Sequence, residues 1–459
     1  MAETNYSVGD TLVKLLSEKK YYSLRDVLNT MNPADIAAVF DDLDQARLPL
    51  LFRLLPKELA ADTFVEMEPD AQELLIRGFS DSELKEVLDE LYVDDAVDIV
   101  EEMPANVVSR ILAQADPDMR KQINEILRYP EDSAGSIMTT EYVALRPAMT
   151  VGEAILRIRR TGIDKETIYT CYVTRDHKLV GLVSVKDLLL CEDDATAIES
   201  IMQEHVISVG TLDDQEQVAQ MFSKYNFLAL PVVDTESRLV GIVTFDDAMD
   251  VMEDEATEDI EKMAAMLPSE HPYLRSSPFE IWKNRIPWLL LLMVSATLTG
   301  LVISHFEDAL GMLPCLTAFI PMLMDTGGNA GSQACVTVIR GISLQEIDFR
   351  DILRVMWKET RVAILCGIAL AIACFGKVML IDHLMLHNNS VTPVVAFVVC
   401  ISMAFTVFMA KLVGCTLPLI AKKIGLDPAV MASPLITTIV DFLSLLVYFS
   451  FATAILHIG

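Results

Sequence analysis

Residues 246–304 read DDAMDVMEDEATEDIEKMAAMLPSEHPYLRSSPFEIWKNRIPWLLLLMVSATLTGLVIS, and within this stretch the chain changes solvent. Asp246 to Ile260 is the densest acidic run in the sequence, whereas Ile286 to Ser304 is apolar and long enough to cross ~30 Å of hydrocarbon. Both characters extend outward from this junction. Residues 1–285 carry 56 acidic against 27 basic side chains, and residues 286–459 carry 10 against 9, so nearly all of the net charge of -30 lies in front. Behind the junction five stretches, 286–304, 313–339, 362–381, 393–421 and 429–456, each read as a membrane span. The expectation is a multidomain polytopic membrane protein. It comprises an acidic all-α N domain (1–130), an α/β module (131–252), a connecting helix with linker (253–285) and an all-α transmembrane bundle of five helices (286–459).

The start MAETNYSVGD has no basic n-region or apolar h-region, so no cleavable signal is expected and the acidic front stays in the cytoplasm. Lys283, Arg285, Arg340, Arg350, Arg354, Lys358, Arg361, Lys422 and Lys423 all flank spans on one side, while His305–Gly311 and Asp382–Val391 contain no Lys or Arg. The positive-inside rule then places the N-terminus inside and the C-terminus outside the cell (inner) membrane.

Composition also excludes classes. An acidic surface repels phosphate, so nucleic acid is not a partner, and cations are the natural counter-charge. The eight cysteines form no C-x-x-C or Cys/His zinc pattern, and six of them fall in spans as small packing residues. No P-loop, H-E-x-x-H, G-x-S-x-G or Cys-His arrangement is present, so the chain is not expected to be an enzyme.

From about residue 20 to 128 short amphipathic runs are broken at Pro33, Pro56, Pro69, Pro104 and Pro117, as in a small superhelix of helical hairpins. A duplication follows. Ser136-Ile137-Met138 returns as Ser200-Ile201-Met202, and LVGLVS (179–184) returns as LVGIVT (239–244). Each copy runs through two β-branched strands into a helix, and this order resembles a tandem pair of CBS domains. The resemblance implies that Ser184 with Asp187 and Thr244 with Asp247 hold the ribose and phosphate of an adenine nucleotide such as ATP. The same S/T-x-x-D spacing is a helix-capping pattern, and both readings stand.

On a helix, the run after the second copy places Asp247, Asp250, Asp254 and Glu258 on one face. Such like charges destabilise a helix unless a cation neutralises them or water solvates them. A second cluster, Asp94, Asp95 and Asp98 in YVDDAVDIVEEMP, lies in the N domain. Two acidic surfaces on adjoining domains favour a cation sensor, with Mg2+ as a fitting bridge because it takes oxygen ligands and keeps waters.

In the second span, PCLTAFIPMLMDTGGNAGSQAC (314–335), Pro321 and the glycines are expected to break the helix. Freed carbonyls near Gly328, with Asp325, Asn329 and Gln333, would then face a water-filled cavity. Small residues that pack helices closely are the alternative. In the fifth span Ser433, Thr437 and Asp441 are spaced by four and share a face. A mid-span carboxylate costs ~2.5–3.5 kcal/mol, which favours a cation site at Asp441 over a partnership with Lys411 or Lys377.

Four segments, PMLMDTGGNAGSQ, PLITTIVD, YPEDSAGSIMT and DEATEDI, resemble the MgtE family of magnesium channels or transporters, in the family's order over the whole chain. The resemblance implies a homodimer in the lipid bilayer with its pore at the subunit interface, Asp441 on hydrated Mg2+, and Asn329, Ser433 and Thr437 bordering the path. It also implies that Mg2+ at Asp94, Asp95, Asp98, Asp247, Asp250, Glu255, Glu258 and Asp259 closes the pore when internal Mg2+ is high. A proton- or sodium-coupled carrier of Mg2+ or Co2+ is the rival reading, since Asp325 and Asp441 can exchange protons.

Overall fold

The structure is a computed structural model that describes residues 8–458 apart from 42, 44, 45, 270–272, 275, 388, 389 and 432, with backbone only at 8, 10, 164 and 433. The chain forms two compact units, residues 1–252 and 253–459, and the division falls inside the helix Phe245–Met263.

The first unit begins with short helices from Val8–Ser17 to Pro117–Ile126. Proline sets several of their starts: Pro33, Pro69 and Pro117 open helices, and Pro56 and Pro104 occupy the position just before one. A missing N–H costs nothing there, because the first-turn donors have no intrahelical acceptor. Leu24, Ile36, Phe40, Leu51 and Phe64 are fully buried, each contributing roughly 1.5–3 kcal/mol. Their core continues through Ala134 and Met138 into Phe222 and Val243 of the second repeat.

Each repeat forms a three-stranded sheet of the same topology, Val143–Leu145, Thr170–Arg175 and Lys178–Ser184 in one and Val209–Gly210, Ala229–Val233 and Leu239–Thr244 in the other. The first pairing is parallel and the second antiparallel in both. The duplicated motifs prove to be each other's partners across the repeats. Thr139, just after Ser136-Ile137-Met138, exchanges hydrogen bonds of 2.8 and 2.9 Å with Ile242 of the second sheet, and Gln203 does the same with Leu182 of the first at 2.9 and 3.1 Å. A Cβ at Gly241 would meet Met138 Sδ at 2.6 Å, and one at Gly181 would meet Met202 Sδ at 2.7 Å, so both glycines make room for the opposite repeat's methionine.

In the second unit Pro278–His305, Phe349–Met385, Pro393–Lys423 and Ala429–Leu456 are long and apolar enough to cross a membrane. The first begins at Pro278 rather than at 286, because Ser277 and Glu280 close a capping box there. The remaining expected span is the less apolar helix Ile320–Ser343, which packs against Pro393–Lys423 and Ser433–Leu456. Leu289, Leu290, Leu291 and Met293 stand exposed on the first of these helices, an outward surface suited to lipid.

The expected break in this helix is corrected. Ile320–Ser343 is continuous, Pro321 lies in its first turn where proline is tolerated, and Gly327, Gly328 and Gly331 are buried within it. Their role is close approach: a Cβ at Gly328 would meet Thr437 Cγ2 at 2.5 Å, and one at Gly327 would meet Thr406 Cγ2 at 2.6 Å. Gly328 therefore frees no carbonyl by a break in the helix.

Candidate functional site

The same helix turns a different face outward. Asp325, Asn329 and Gln333, four residues apart, are exposed along one side, and Asn329 Nδ2 donates to Asp325 Oδ1 at 3.2 Å. On the neighbouring helix Ser433–Leu456, Asp441 and Thr437 are half-buried. Asp325 lies within electrostatic reach of Asp441. Thr437 Oγ1 donates to the Pro434 carbonyl at 3.1 Å, and the Ser433 side chain lies outside the described residues. The intramembrane lysines pair elsewhere: Lys411 Nζ is 3.8 Å from Glu359 Oε2 in a buried pair, and Lys377 Nζ is 2.8 Å from Asp382 Oδ2.

In the first unit, helix Val93–Glu102 carries Asp94, Asp95 and Asp98, and Asp247 of the second repeat bears electrostatically on all three. Burial raises Asp94 well above the usual carboxylate range, with Asp247 adding to the effect. Asp95 is pushed up to about 7 by burial and by Asp247. Asp98 is raised too, yet its side chain is open to water, which screens it more than its neighbours. Asp247 itself rises to about 6 through burial, opposed by its hydrogen bond with Thr244.

Two further carboxylates join this cluster that sequence reading did not single out. Glu141 and Glu166 of the first repeat each offer an oxygen, with one from Asp94, all within 4.8 Å of one another. Glu166 is pushed up to about 8 by burial, then by Asp95 and Asp247. Neither residue lies in a dense acidic run, and no local signal marks them.

The other acidic residues of helix Phe245–Met263 are placed differently. Asp250 is exposed and Glu255 half-buried. Lys262 Nζ bridges Glu258 Oε1 at 2.6 Å and Asp427 Oδ2 at 2.7 Å, and Asp259 is raised by burial and by Asp427. One helix thus contributes carboxylates to two separate clusters. At the sheet ends, Ser184 caps its helix with Asp187, Ser184 Oγ donating to Asp187 Oδ2 at 2.6 Å. Thr244 makes the equivalent bond to Asp247. The capping function is therefore present at Ser184–Asp187, and at the second pair the Thr244 N–H donates to Asp247 Oδ2 at 3.4 Å.

Comparison with known proteins follows the same divisions. The MgtE profile, described as a divalent cation transporter, matches residues 320–451, the MgtE intracellular N domain matches 31–132, and CBS domains match 134–192 and 198–254. The chain is 38% identical to a magnesium transporter MgtE of Thermus thermophilus over 97% of this chain and 98% of the other. It is 33% identical to one of Bacillus subtilis over 97% of each. Among solved structures, the cytosolic domain of the Mg2+ channel MgtE in complex with ATP is 38% identical, with a TM-score of 0.51, covering 53% of this chain and 100% of that one.

Proposed function

The chain belongs to the MgtE family of divalent cation transporters, and from that membership we propose that it carries Mg2+ into the cell across the inner membrane. The family is one of transporters and not of enzymes. The observation that carries the reading is the polar face Asp325, Asn329 and Gln333 beside Asp441, set among helices that are otherwise apolar outside. Hydrated Mg2+ dehydrates reluctantly, so one or two carboxylates with amide and hydroxyl groups suffice to hold it. Asp441 is the central ligand, with Asn329, Thr437, Ser433 and Gln333 bordering the path. Two copies, each presenting this face, enclose the pore within a five-span bundle whose N-terminus is cytoplasmic and whose C-terminus is outside.

Cytosolic Mg2+ closes the pore by occupying the acidic clusters, and the repulsion that burial and neighbouring charge impose on Asp94, Asp95 and Asp247 supports this. Ion binding then favours the state in which these groups are close. The ATP-bound relative supports a nucleotide at the Ser184–Asp187 turn, where the hydroxyl and carboxylate sit at a sheet end. The proximity of Asp325 to Asp441 favours one rival, a proton- or sodium-coupled carrier of Mg2+ or Co2+.

Mg2+ flux into proteoliposomes tests the reading. Asp441→Asn abolishes uptake while the protein still assembles, and flux equal to the wild type in this variant refutes the pore assignment. Discrete single-channel openings exclude the obligate carrier.

A further inference from the structure

We infer that an anionic phospholipid docks on the outward face of helix Ile352–Lys377. Its headgroup phosphate is held by Arg354, Lys358 and Arg361, and its acyl chains lie along the apolar residues that follow them. The inference concerns a part of the membrane unit that the ion path does not use, and it stands whichever way the pore is gated.

The helix has two opposite faces. Ala363, Gly367 and Cys374 are buried, and the helix packs against Pro393–Lys423, where a Cβ at Gly367 would stand 3.3 Å from the Ala404 carbonyl oxygen. At 3.6 residues per turn, positions 354, 358 and 361 fall on the side away from these three, and all are exposed. The same side continues through Leu365, Ile368 and Ile372, which are 70%, 55% and 70% exposed.

The charge on that face is left over by the protein. Glu359, the acid that lies among these cations in sequence, is turned inward, with its Oε2 3.8 Å from the Nζ of buried Lys411. Arg354 Nη1 donates to Asp351 Oδ1 at 3.0 Å, which uses part of its charge. Lys358 and Arg361 form no ion pair among the described residues. Arg361 lies instead over the exposed Trp357 ring, its guanidinium carbon 5.9 Å from the centroid. Tryptophan beside Lys and Arg at one end of a span marks the headgroup level, and a guanidinium fork matches a phosphate.

Dimensions favour a lipid over a free anion. Arg354 and Arg361 are about 10 Å apart along the axis, so their long side chains converge on one phosphate near the level of Lys358. From Ile364 to Phe375 the exposed apolar face runs about 16 Å, close to one leaflet's share of a ~30 Å hydrocarbon core. A free phosphate would meet the cations and leave that face uncovered, whereas one anionic lipid covers both. In the topology proposed above, the leaflet is the cytoplasmic one.

Trp282→Phe with Trp288→Phe leaves Trp357 as the sole tryptophan of the full-length protein. In phosphatidylcholine nanodiscs containing either brominated phosphatidylglycerol or brominated phosphatidylcholine at equal mole fraction, quenching of Trp357 reports which lipid occupies the face. Two unpaired cations at about fivefold each should favour phosphatidylglycerol roughly 10- to 30-fold. Lys358→Gln with Arg361→Gln should reduce the preference to within about twofold, while unchanged quenching by brominated phosphatidylcholine shows that the helix is still embedded. If it is not, Lys358→Gln alone carries the comparison, with an expected loss of about fivefold. Lys283→Gln, at the start of the first span, should leave the preference intact. A wild type without preference, a preference retained in the embedded variants, or an equal loss in Lys283→Gln overturns the site. Loss of the preference in millimolar inorganic phosphate at constant ionic strength assigns the cations to a free anion and overturns the lipid.

Discussion

Asp95 offers a direct measure of the repulsion stored in the ion-free cluster. Its carboxyl rises from 3.8 to about 7 through burial and the neighbouring Asp247. Such a rise corresponds to ~4 kcal/mol for an isolated, fully buried group. Asp95 is half-buried and shares its repulsion with Asp247, so we expect about 1–2 kcal/mol to remain at this position. The sign follows from proton linkage. The folded state binds the proton more tightly than the unfolded state, so the carboxyl costs nothing below pH about 4 and progressively destabilises as pH rises to about 7, above which the penalty is complete. Asp95→Asn removes the charge at nearly constant volume. Without divalent ions at pH 8, amides of helix Val93–Glu102 should exchange about 5- to 30-fold more slowly in the variant, after correction for intrinsic rates. At pH 5 the difference shrinks. With saturating Mg2+ it reverses, because the wild type gains a ligand that the variant lacks. Equal exchange at pH 8 without divalent ions, or faster exchange in Asp95→Asn, would refute the reasoning.

Three further outcomes test the packing and the Lys411–Glu359 pair. Gly241→Val drives a side chain into Met138 Sδ and the Thr139 carbonyl, 2.6 and 2.8 Å from a Cβ, and should destabilise the paired repeats by about 1–3 kcal/mol. Gly78→Ala, with nothing within 4 Å, should leave proteolytic stability of the first unit unchanged or higher. Lys411→Met leaves the buried Glu359 carboxylate unpaired and should cost about 3–5 kcal/mol, read by Trp357 fluorescence on thermal unfolding in detergent. Adding Glu359→Gln should recover most of the loss.

The features legible in the sequence were those encoded by local pattern. Proline positions marked helix starts in the N domain, and the repeated LVGLVS and LVGIVT marked equivalent strands. Long apolar runs marked the membrane helices. What escaped was set by contacts between distant residues. Glu141 and Glu166 join Asp94 only because the first repeat folds against helix Val93–Glu102. The continuity of Ile320–Ser343 escaped as well. Glycine read locally as a helix breaker acts here as a contact surface, and tertiary packing outweighs its poor helix propensity. The reciprocal exchange of Met138 and Met202 between repeats explains why methionine and glycine were duplicated together, a relation that the repeat itself could not reveal.

That packing also fixes the direction of the proposed ion path. Leu289, Leu290, Leu291 and Met293 can meet lipid without penalty, whereas Asp325 facing hydrocarbon would cost ~2.5–3.5 kcal/mol, with Asn329 and Gln333 adding to it. Rotating the helix would relieve this only by moving its glycine face. Gly327, Gly328 and Gly331 lie against Thr406, Thr437 and Ile436, where even one added methyl group meets atoms at 2.5–2.8 Å, so larger side chains brought to that surface have no space. The polar face is therefore held outward by the close packing behind it, and water or the same face of a second copy must cover it. A path for hydrated Mg2+ satisfies both requirements, with Asp441 contributed from the helix that the glycines hold in place.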